Sequence, residues 1–306
     1  MRRRTLRMSA QEELRLAFSD PDVLCLGQAD MDLTPVVIDA NQSVIFTGAT
    51  GGGKTTGLRL CALQEAMKRR TGLIAFDSHN QCLALGGRLT AHWSSLEEQV
   101  EGVRKLDALL KRRLSAFRSA DEAGLVTDNS SWDSGLDSRI VLLVDEIAGV
   151  MATLKSIDQE ALRNRERNWA PLVNQFARIV SEGRKLGFVV IATTTKFTNA
   201  LAGDDPRIPI GLPTGVMLRP TDPQHAKLGL YTDDSNSDEL DPRRWLRPGH
   251  AATYGAHTRT ISSGLIRFQM PLVEAYHLKE AASRALEQGV WVPDEKVLLE
   301  PSRRVH

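Results

Sequence analysis

Residues 48–55 read Gly-Ala-Thr-Gly-Gly-Gly-Lys-Thr and meet the pattern G-x-x-x-x-G-K-[ST] at Gly48, Gly53, Lys54 and Thr55. The chemistry such a spacing serves is the gripping of phosphate. Gly51, Gly52 and Gly53 let the backbone turn without side-chain clash, so successive N–H groups aim at phosphate oxygens, and the start of a following helix adds partial positive charge. Gly48, Ala49, Thr50, Gly51, Gly52, Gly53, Lys54, Thr55 and Thr56 are therefore the expected nucleotide-binding set. Lys54 is expected to bridge the β- and γ-phosphates of ATP, and the Thr55 hydroxyl to ligate Mg²⁺. A glycine turn that merely includes a lysine is the plain alternative. The strand and helix signals on either side speak against it.

A phosphate loop of this type needs an acid at the end of a nearby strand to anchor the metal while charge moves on the γ-phosphate. The run RIVLLVDE supplies Asp145 for that role. Its neighbour Glu146 is placed to polarise a water, which favours hydrolysis over transfer to a substrate hydroxyl. Two solvent-facing acids after a strand are the bland reading. A third strand, FVVIATTT, is expected to end between the other two, with Thr194 as a γ-phosphate sensor. Threonines at the ends of core strands are also common without any such role.

The elements that must position these groups can be read from periodicity. SVIFTG (residues 43–48) is a buried strand, and TTGLRLCALQEAMKRR has helical apolar spacing. LIAFD (73–77) is a second strand ending in Ser78-His79-Asn80, and a long helix starts at Ser95, with Glu98 completing a capping box, and runs to about Phe117. Residues 119–138 are rich in Ser, Asp and Gly and read as a surface loop. RIVLLVDE, a helix from about Pro171 to Leu186, FVVIATTT and GVMLR follow, then a short helix opened by Asp222-Pro223. HAATYG and SSGLIRFQM read as an antiparallel edge hairpin before a final helix from Pro271 to about Gln288. A short helix is expected within residues 1–20. Strands alternating with helices imply an α/β, doubly wound, mostly parallel sheet.

Composition excludes several classes. Lys+Arg number 39 against 38 Asp+Glu, so any contact with a polyanion must be local. The basic start, MRRRTLRMSA, is not followed by the apolar stretch of a secretory signal, and no run is long enough for a membrane span. Cys25, Cys61 and Cys82 show no C-x-x-C pattern and read as reduced thiols of a cytoplasmic protein.

Taken together, GATGGGKTT, LIAFD, the helix carrying KRR, LLVDEIAGVM and FARIVSEGRKLGFVVIATTT resemble the motor domain of the FtsK/HerA superfamily of DNA-translocating ATPases, over roughly residues 36–275. The resemblance implies a RecA-like P-loop fold for 36–275, with residues 1–35 as an N-terminal extension and 276–306 as a C-terminal helix and tail. Pro248-Gly249-His250-Ala251-Ala252 falls at the turn where family members carry a GDM-like or GRA-like sequence. The chain departs from the family in three places: Thr194 replaces the family's Gln, Lys196 replaces its Pro, and Asp77-Ser78-His79 replaces a frequent Asp-Pro-Lys.

The resemblance further implies a homo-oligomer, commonly a hexameric ring, with ATP between subunits and an arginine reaching in from the neighbour. Arg184 matches the family's arginine, and Arg219 is the competitor. Loops after the Asp145 and Thr194 strands would line the hole and touch double-stranded DNA. There the chain carries Lys155, Arg163, Arg165 and Arg167, then Lys196 and Arg207. A solvated helix of alternating charge is the alternative for 151–170. Three function classes follow: a soluble motor for double-stranded DNA, a protein-secretion ATPase indifferent to DNA, and a nucleotide-dependent scaffold with slow turnover. A small-metabolite kinase is a remote fourth, disfavoured by Asp145-Glu146. Partners of a motor would meet the terminal segments.

Overall fold

A computed structural model describes residues 19–122, 138–166, 169–195, 205–230, 249–254 and 264–293. The helix expected within 1–20 and most of the 119–138 loop lie outside these residues, as do Arg167 and Lys196. In chain order the strands are β1 Val23–Ala29, β2 Pro35–Asp39, β3 Val44–Gly48, β4 Thr71–Phe76, β5 Ala91–Trp93, β6 Arg139–Val144, β7 Phe188–Thr194, β8 Thr214–Leu218, β9 His250–Tyr254 and β10 Leu265–Gln269. The helices are α1 Lys54–Ala66, α2 Leu96–Glu122, α3 Ile147–Arg163, α4 Leu172–Glu182, α5 Arg207–Gly211, α6 Pro223–Leu230 and α7 Ala275–Glu287.

All ten strands join one sheet, in the order β2-β1-β10-β9-β8-β3-β7-β6-β4-β5. The half from β8 to β5 is parallel and the half from β8 to β2 is antiparallel. Helices cover both faces. Ile45, Ile74 and Leu142 pack with Val103 and Leu106 of α2, Met151 of α3 and Phe176 of α4 on one side. Phe46, Leu73 and Leu143 pack with Leu58 and Cys61 of α1 and Leu278 of α7 on the other. Strands buried on both faces have to be apolar at every position, which is why RIVLLV and FVVIA carry no alternation.

Residues 1–35 are not wholly an extension, because β1 lies inside the sheet. It pairs with β10 on one side, Gln28 opposite Gln269, and with β2 on the other, Leu24 opposite Ile38. A buried strand needs partners for its amides along both edges. At the bulge between Cys25 and Gly27, the Gln64 side chain of α1 serves as that partner: Oε1 accepts from Cys25 N at 2.8 Å and Nε2 donates to Cys25 O at 3.0 Å. The β9–β10 hairpin is antiparallel as expected, and β1 and β2 continue the sheet past it, so the outer position falls to β2.

The segment 151–170 is chiefly helix. Val150, Met151, Leu154 and Ala161 of α3 are buried at helical spacing. Its Asp158 accepts hydrogen bonds from Leu172 N at 2.8 Å and Val173 N at 3.0 Å, capping α4 from a distance, while Pro171 stands at the N-cap position. The capping box before α2 is present: Glu98 N donates to Ser95 Oγ at 3.2 Å and Ser95 N donates to Glu98 Oε2 at 2.9 Å.

Helix α1 is fixed at both ends, which matters for the loop it follows. Gly57 lies against the Phe46 ring so closely that a Cβ there would stand 2.5 Å from it, and this allows α1 to sit down on β3. At the other end the fully buried Arg88 donates to the carbonyls of Ala66 (2.6 Å) and Lys68 (3.0 Å), which the helix itself cannot satisfy. Burial pulls the Arg88 guanidinium down to a pKa of about 10, so it remains charged there.

Candidate nucleotide site

Gly48 ends β3, and the loop turns at Gly51 (φ 75°) and Gly53 (φ 105°), both in the left-handed region, before Lys54 opens α1. Gly52 is tightly enclosed, since a Cβ would stand 3.0 Å from the Ala49 carbonyl oxygen. No side chain caps α1, so its first amides face the hollow of the loop, and a tetrahedral anion has the charge and size that such a cradle takes. The Lys54 ammonium reaches back over the loop and donates to Gly48 O at 2.8 Å and Ala49 O at 3.2 Å. Burial lowers its pKa, opposed by the charges of Glu146 and then Asp145. Thr55 and Thr56 follow in the first turn of α1. This donor set fits a nucleotide's phosphates with Mg²⁺.

Asp145 and Glu146 arrive at the same end of the sheet. Strand β7 lies between β3 and β6, as the sequence reading required. Thr193 Oγ1 donates to Asp145 Oδ1 at 3.0 Å and accepts from Glu146 N at 2.9 Å. Thr194 Oγ1 donates to Glu146 Oε1 at 2.8 Å, and Thr195 donates to the same carboxylate through its N–H (3.2 Å) and its hydroxyl (3.0 Å). Glu146 itself adopts φ 54°, ψ 69°, a left-handed conformation that costs a residue with a Cβ roughly 1–3 kcal/mol and is found where surrounding structure over-determines it.

Sequence reading missed Thr193, Thr195 and two histidines. His79 Nδ1 lies 2.9 Å from Asp145 Oδ2, and His92 Nε2 lies 3.2 Å from the buried Asp77 Oδ2. The Asp77 carboxylate also accepts the amides of Gln81 at 2.8 Å and Cys82 at 2.7 Å, holding the turn that carries His79. The signal for the threonines was three of them in succession at the end of the strand expected beside Asp145-Glu146.

The two candidate arginines fall at opposite ends of the sheet. Arg184 is exposed on the 3-10 turn Gly183–Leu186, before β7 begins, so a strand length of about 20 Å separates it from the Thr193–Thr195 end. Arg219 follows β8 beside the phosphate loop of its own chain: its carbonyl accepts from Ala49 N at 3.3 Å, and a Cβ on Gly52 would stand 3.3 Å from its own Cβ. Arg163 and Arg165 are exposed at the far end of α3, Lys155 is half-buried within it, and Arg207 is occupied by Asp205 and Asn174.

The same arrangement of strands and helices recurs in solved ATPases. The conjugation coupling protein TcpA of pCW3, in a monomer form with ATPγS, superposes with a TM-score of 0.64 at 15% identity over 88% of this chain and 71% of its own. The chain has the fold of the FtsK/HerA-type ATPases. Within that fold it is also similar to the cytoplasmic domain of the type VII secretion ATPase EccC of Thermomonospora curvata, with a TM-score of 0.61 at 17% identity over 92% of this chain. EssC (ATPases 2 and 3) of Geobacillus thermodenitrificans gives a TM-score of 0.59 at 14% identity over 89% of this chain. This chain spans 32% of the EccC chain and 50% of the EssC chain. No protein-family model and no curated protein sequence matches it. Among the described residues no helix is long and apolar enough to cross a membrane.

Proposed function

We propose that this FtsK/HerA-type domain hydrolyses ATP and that the hydrolysis drives translocation of double-stranded DNA. The observation that carries the reading is the meeting of three strand ends at one point: the glycine cradle after β3, the acid pair after β6, and, on β7 between them, the threonines that hold the acids. Gly48–Thr56 would hold the phosphates, Lys54 the β- and γ-phosphate oxygens, and Thr55 and Asp145 the shell of Mg²⁺. Bound Mg²⁺ would neutralise charge that develops on the γ-phosphate. Glu146 would take the proton of the attacking water, with Thr194 fixing one of its oxygens. Lys54 already lies in a low-dielectric position, where a fixed positive charge acts more strongly on phosphate than it would in water.

Arg184 cannot reach the nucleotide of its own chain across the length of β7, which supports a ring, of the hexameric kind, in which it serves a neighbour. Arg219 by contrast is a contact of its own chain's loop. DNA as the cargo draws on the similarity to a conjugation coupling protein, conjugation being a transfer of DNA, and on the exposed Arg163 and Arg165; Arg167 and Lys196 complete the proposed contact set from outside the described residues.

The similarity to EccC, a secretion ATPase, favours a second reading in which the cargo is a polypeptide. The deciding experiment is the steady-state ATPase rate with and without long double-stranded DNA, at about 50 and 200 mM salt, since phosphate contacts weaken steeply over that range. Stimulation that salt removes supports the DNA motor. A rate indifferent to DNA rejects it and favours the secretion reading or a slow-turnover scaffold.

A further inference from the structure

We propose that Thr193 and Thr195 are positioning residues: Thr193 sets Asp145 and the backbone of Glu146, and Thr195 sets the Glu146 carboxylate. This rests on the reading of the site as an ATPase. Strands β6 and β7 pair in parallel up to Val144 opposite Ala192. One residue further the two chains part, because Glu146 turns into the left-handed region and α3 begins. Asp145 still donates its amide to Phe76 O of β4 at 2.9 Å, so pairing persists on that side. On the β7 side the next rung of the ladder is made by a side chain. The Thr193 hydroxyl accepts the Glu146 amide and donates its own proton to Asp145 Oδ1.

Thr193 is almost fully buried, at 1% exposure. It satisfies a backbone donor and at the same time fixes the rotation of the carboxylate that would face the metal. Val has the same shape and can do neither. Asp145 is held from its other oxygen by His79, which is 65% exposed on its side chain and so free to leave. Thr193 is thus the fixed half of the pair.

Thr195 acts on the other acid. Glu146 sits on a backbone that offers no ladder partner to its side chain, yet both of its carboxylate oxygens are engaged. Oε1 takes the Thr194 hydroxyl and the Thr195 amide, and Oε2 takes the Thr195 hydroxyl. A base that must meet one water in one place gains from such fixation, because small displacements of a reacting group cost large factors in rate.

The experiment compares T193V, T193S, T195V and T195S in the full chain. The measured quantities are kcat, the KM for ATP, the Mg²⁺ concentration for half-activation, the melting temperature, and the binding of a fluorescent ATP analogue titrated with Mg²⁺. T195V is expected to lower kcat by about 10–100-fold with KM nearly unchanged, and T195S to restore most of it, the range seen when groups supporting a site residue are removed. T193V is expected to raise the half-activating Mg²⁺ by a similar factor, with T193S restoring it. Altered melting temperature with unchanged kcat and Mg²⁺ dependence would overturn the proposal, as would a T195V variant that turns over faster than the parent. Thr195 is exposed, so T195V folds even if T193V does not. Should the parent protein fail to hydrolyse ATP at all, the ATPase reading falls, and the Mg²⁺ titration of analogue binding still decides the part played by Thr193.

Discussion

Replacing Glu146 by Gln separates the basicity of this residue from its position. In the parent, Oε1 accepts from Thr194 Oγ1 at 2.8 Å and Thr195 N at 3.2 Å, and Oε2 accepts from Thr195 Oγ1 at 3.0 Å. A Gln carbonyl keeps the first two bonds. Its NH₂ donates to the Thr195 hydroxyl, which can turn to accept, so the side chain stays in place. Of the two carboxylates whose charge offsets the burial of Lys54, the larger contributor, Glu146, is neutralised and Asp145 remains. The proton acceptor and one negative charge are lost. A positioned general base is worth typically 10²–10⁴-fold, or about 2.7–5.4 kcal/mol of barrier. Phosphate release should therefore fall by at least about 100-fold while a fluorescent ATP analogue binds as before. Turnover within about threefold of the parent, with analogue binding intact, would show that water is activated elsewhere.

Three further outcomes can be checked. Arg139→Met should destabilise the fold by roughly 3–5 kcal/mol in urea at pH 7, since it strips a partner from the wholly buried Glu65. Burial alone would raise the Glu65 pKa, and Arg139 with Lys68 outweighs it and holds the value below 4.5; the stability this contributes is present above pH 4.5 and lost as pH falls through the depressed value, so the gap between parent and variant should narrow in acid. In mixing experiments, Arg184→Ala subunits combined with Lys54→Ala subunits should regain part of the ATPase rate at interfaces that pair an intact loop with an intact arginine. Arg219→Ala should instead weaken ATP binding within its own subunit and gain nothing from the same mixing, and equal rescue of both would refute the assignment. Cys25, Cys61 and Cys82 are all buried, and burial raises each thiol pKa, that of Cys25 to about 11, so an aromatic disulfide reagent should label none of them at pH 8 until the protein is unfolded.

The parallel half of the sheet was legible because each of its main strands is a continuous apolar run closed by residues whose types suit phosphate or acid–base chemistry. Gly48 closes VIFT, Asp145 closes RIVLLV, and the threonines close FVVIA. The antiparallel half was legible only as the β9–β10 hairpin. Strand β1 escaped because VLCLGQA gives no alternation, contains the glycine of its own bulge, and pairs with a segment near the other end of the chain. Helix α3 was legible as the alternative of a solvated helix, but its buried face at Val150, Met151, Leu154 and Ala161 was not, because charge at Lys155, Glu160 and Arg163 drew more notice. At the site, residue types pointed to a chemistry, and the contacts came only from the fold. That Thr193, one position before the threonine singled out, bridges both acids depends on how β6 and β7 align, and register is a property of two strands rather than of either one.

The pairing of β1 with β10 also sets a timetable. Ala29 stands opposite Phe268, so a ribosome releases the first hairpin some 240 residues before the strand that completes it. At about 5–20 residues per second that is an interval of roughly 12–50 s. A lone two-stranded hairpin is marginal in water, and Leu24, Leu26 and Ile38 have nothing to bury against until α1 and β10 exist. During synthesis this apolar hairpin is an open edge that any other nascent copy can pair with. The same geometry governs truncation. A chain shortened to begin at Val36 leaves β10 uncovered along the side that β1 occupies, and its failing would be association through that edge rather than loss of the nucleotide cradle.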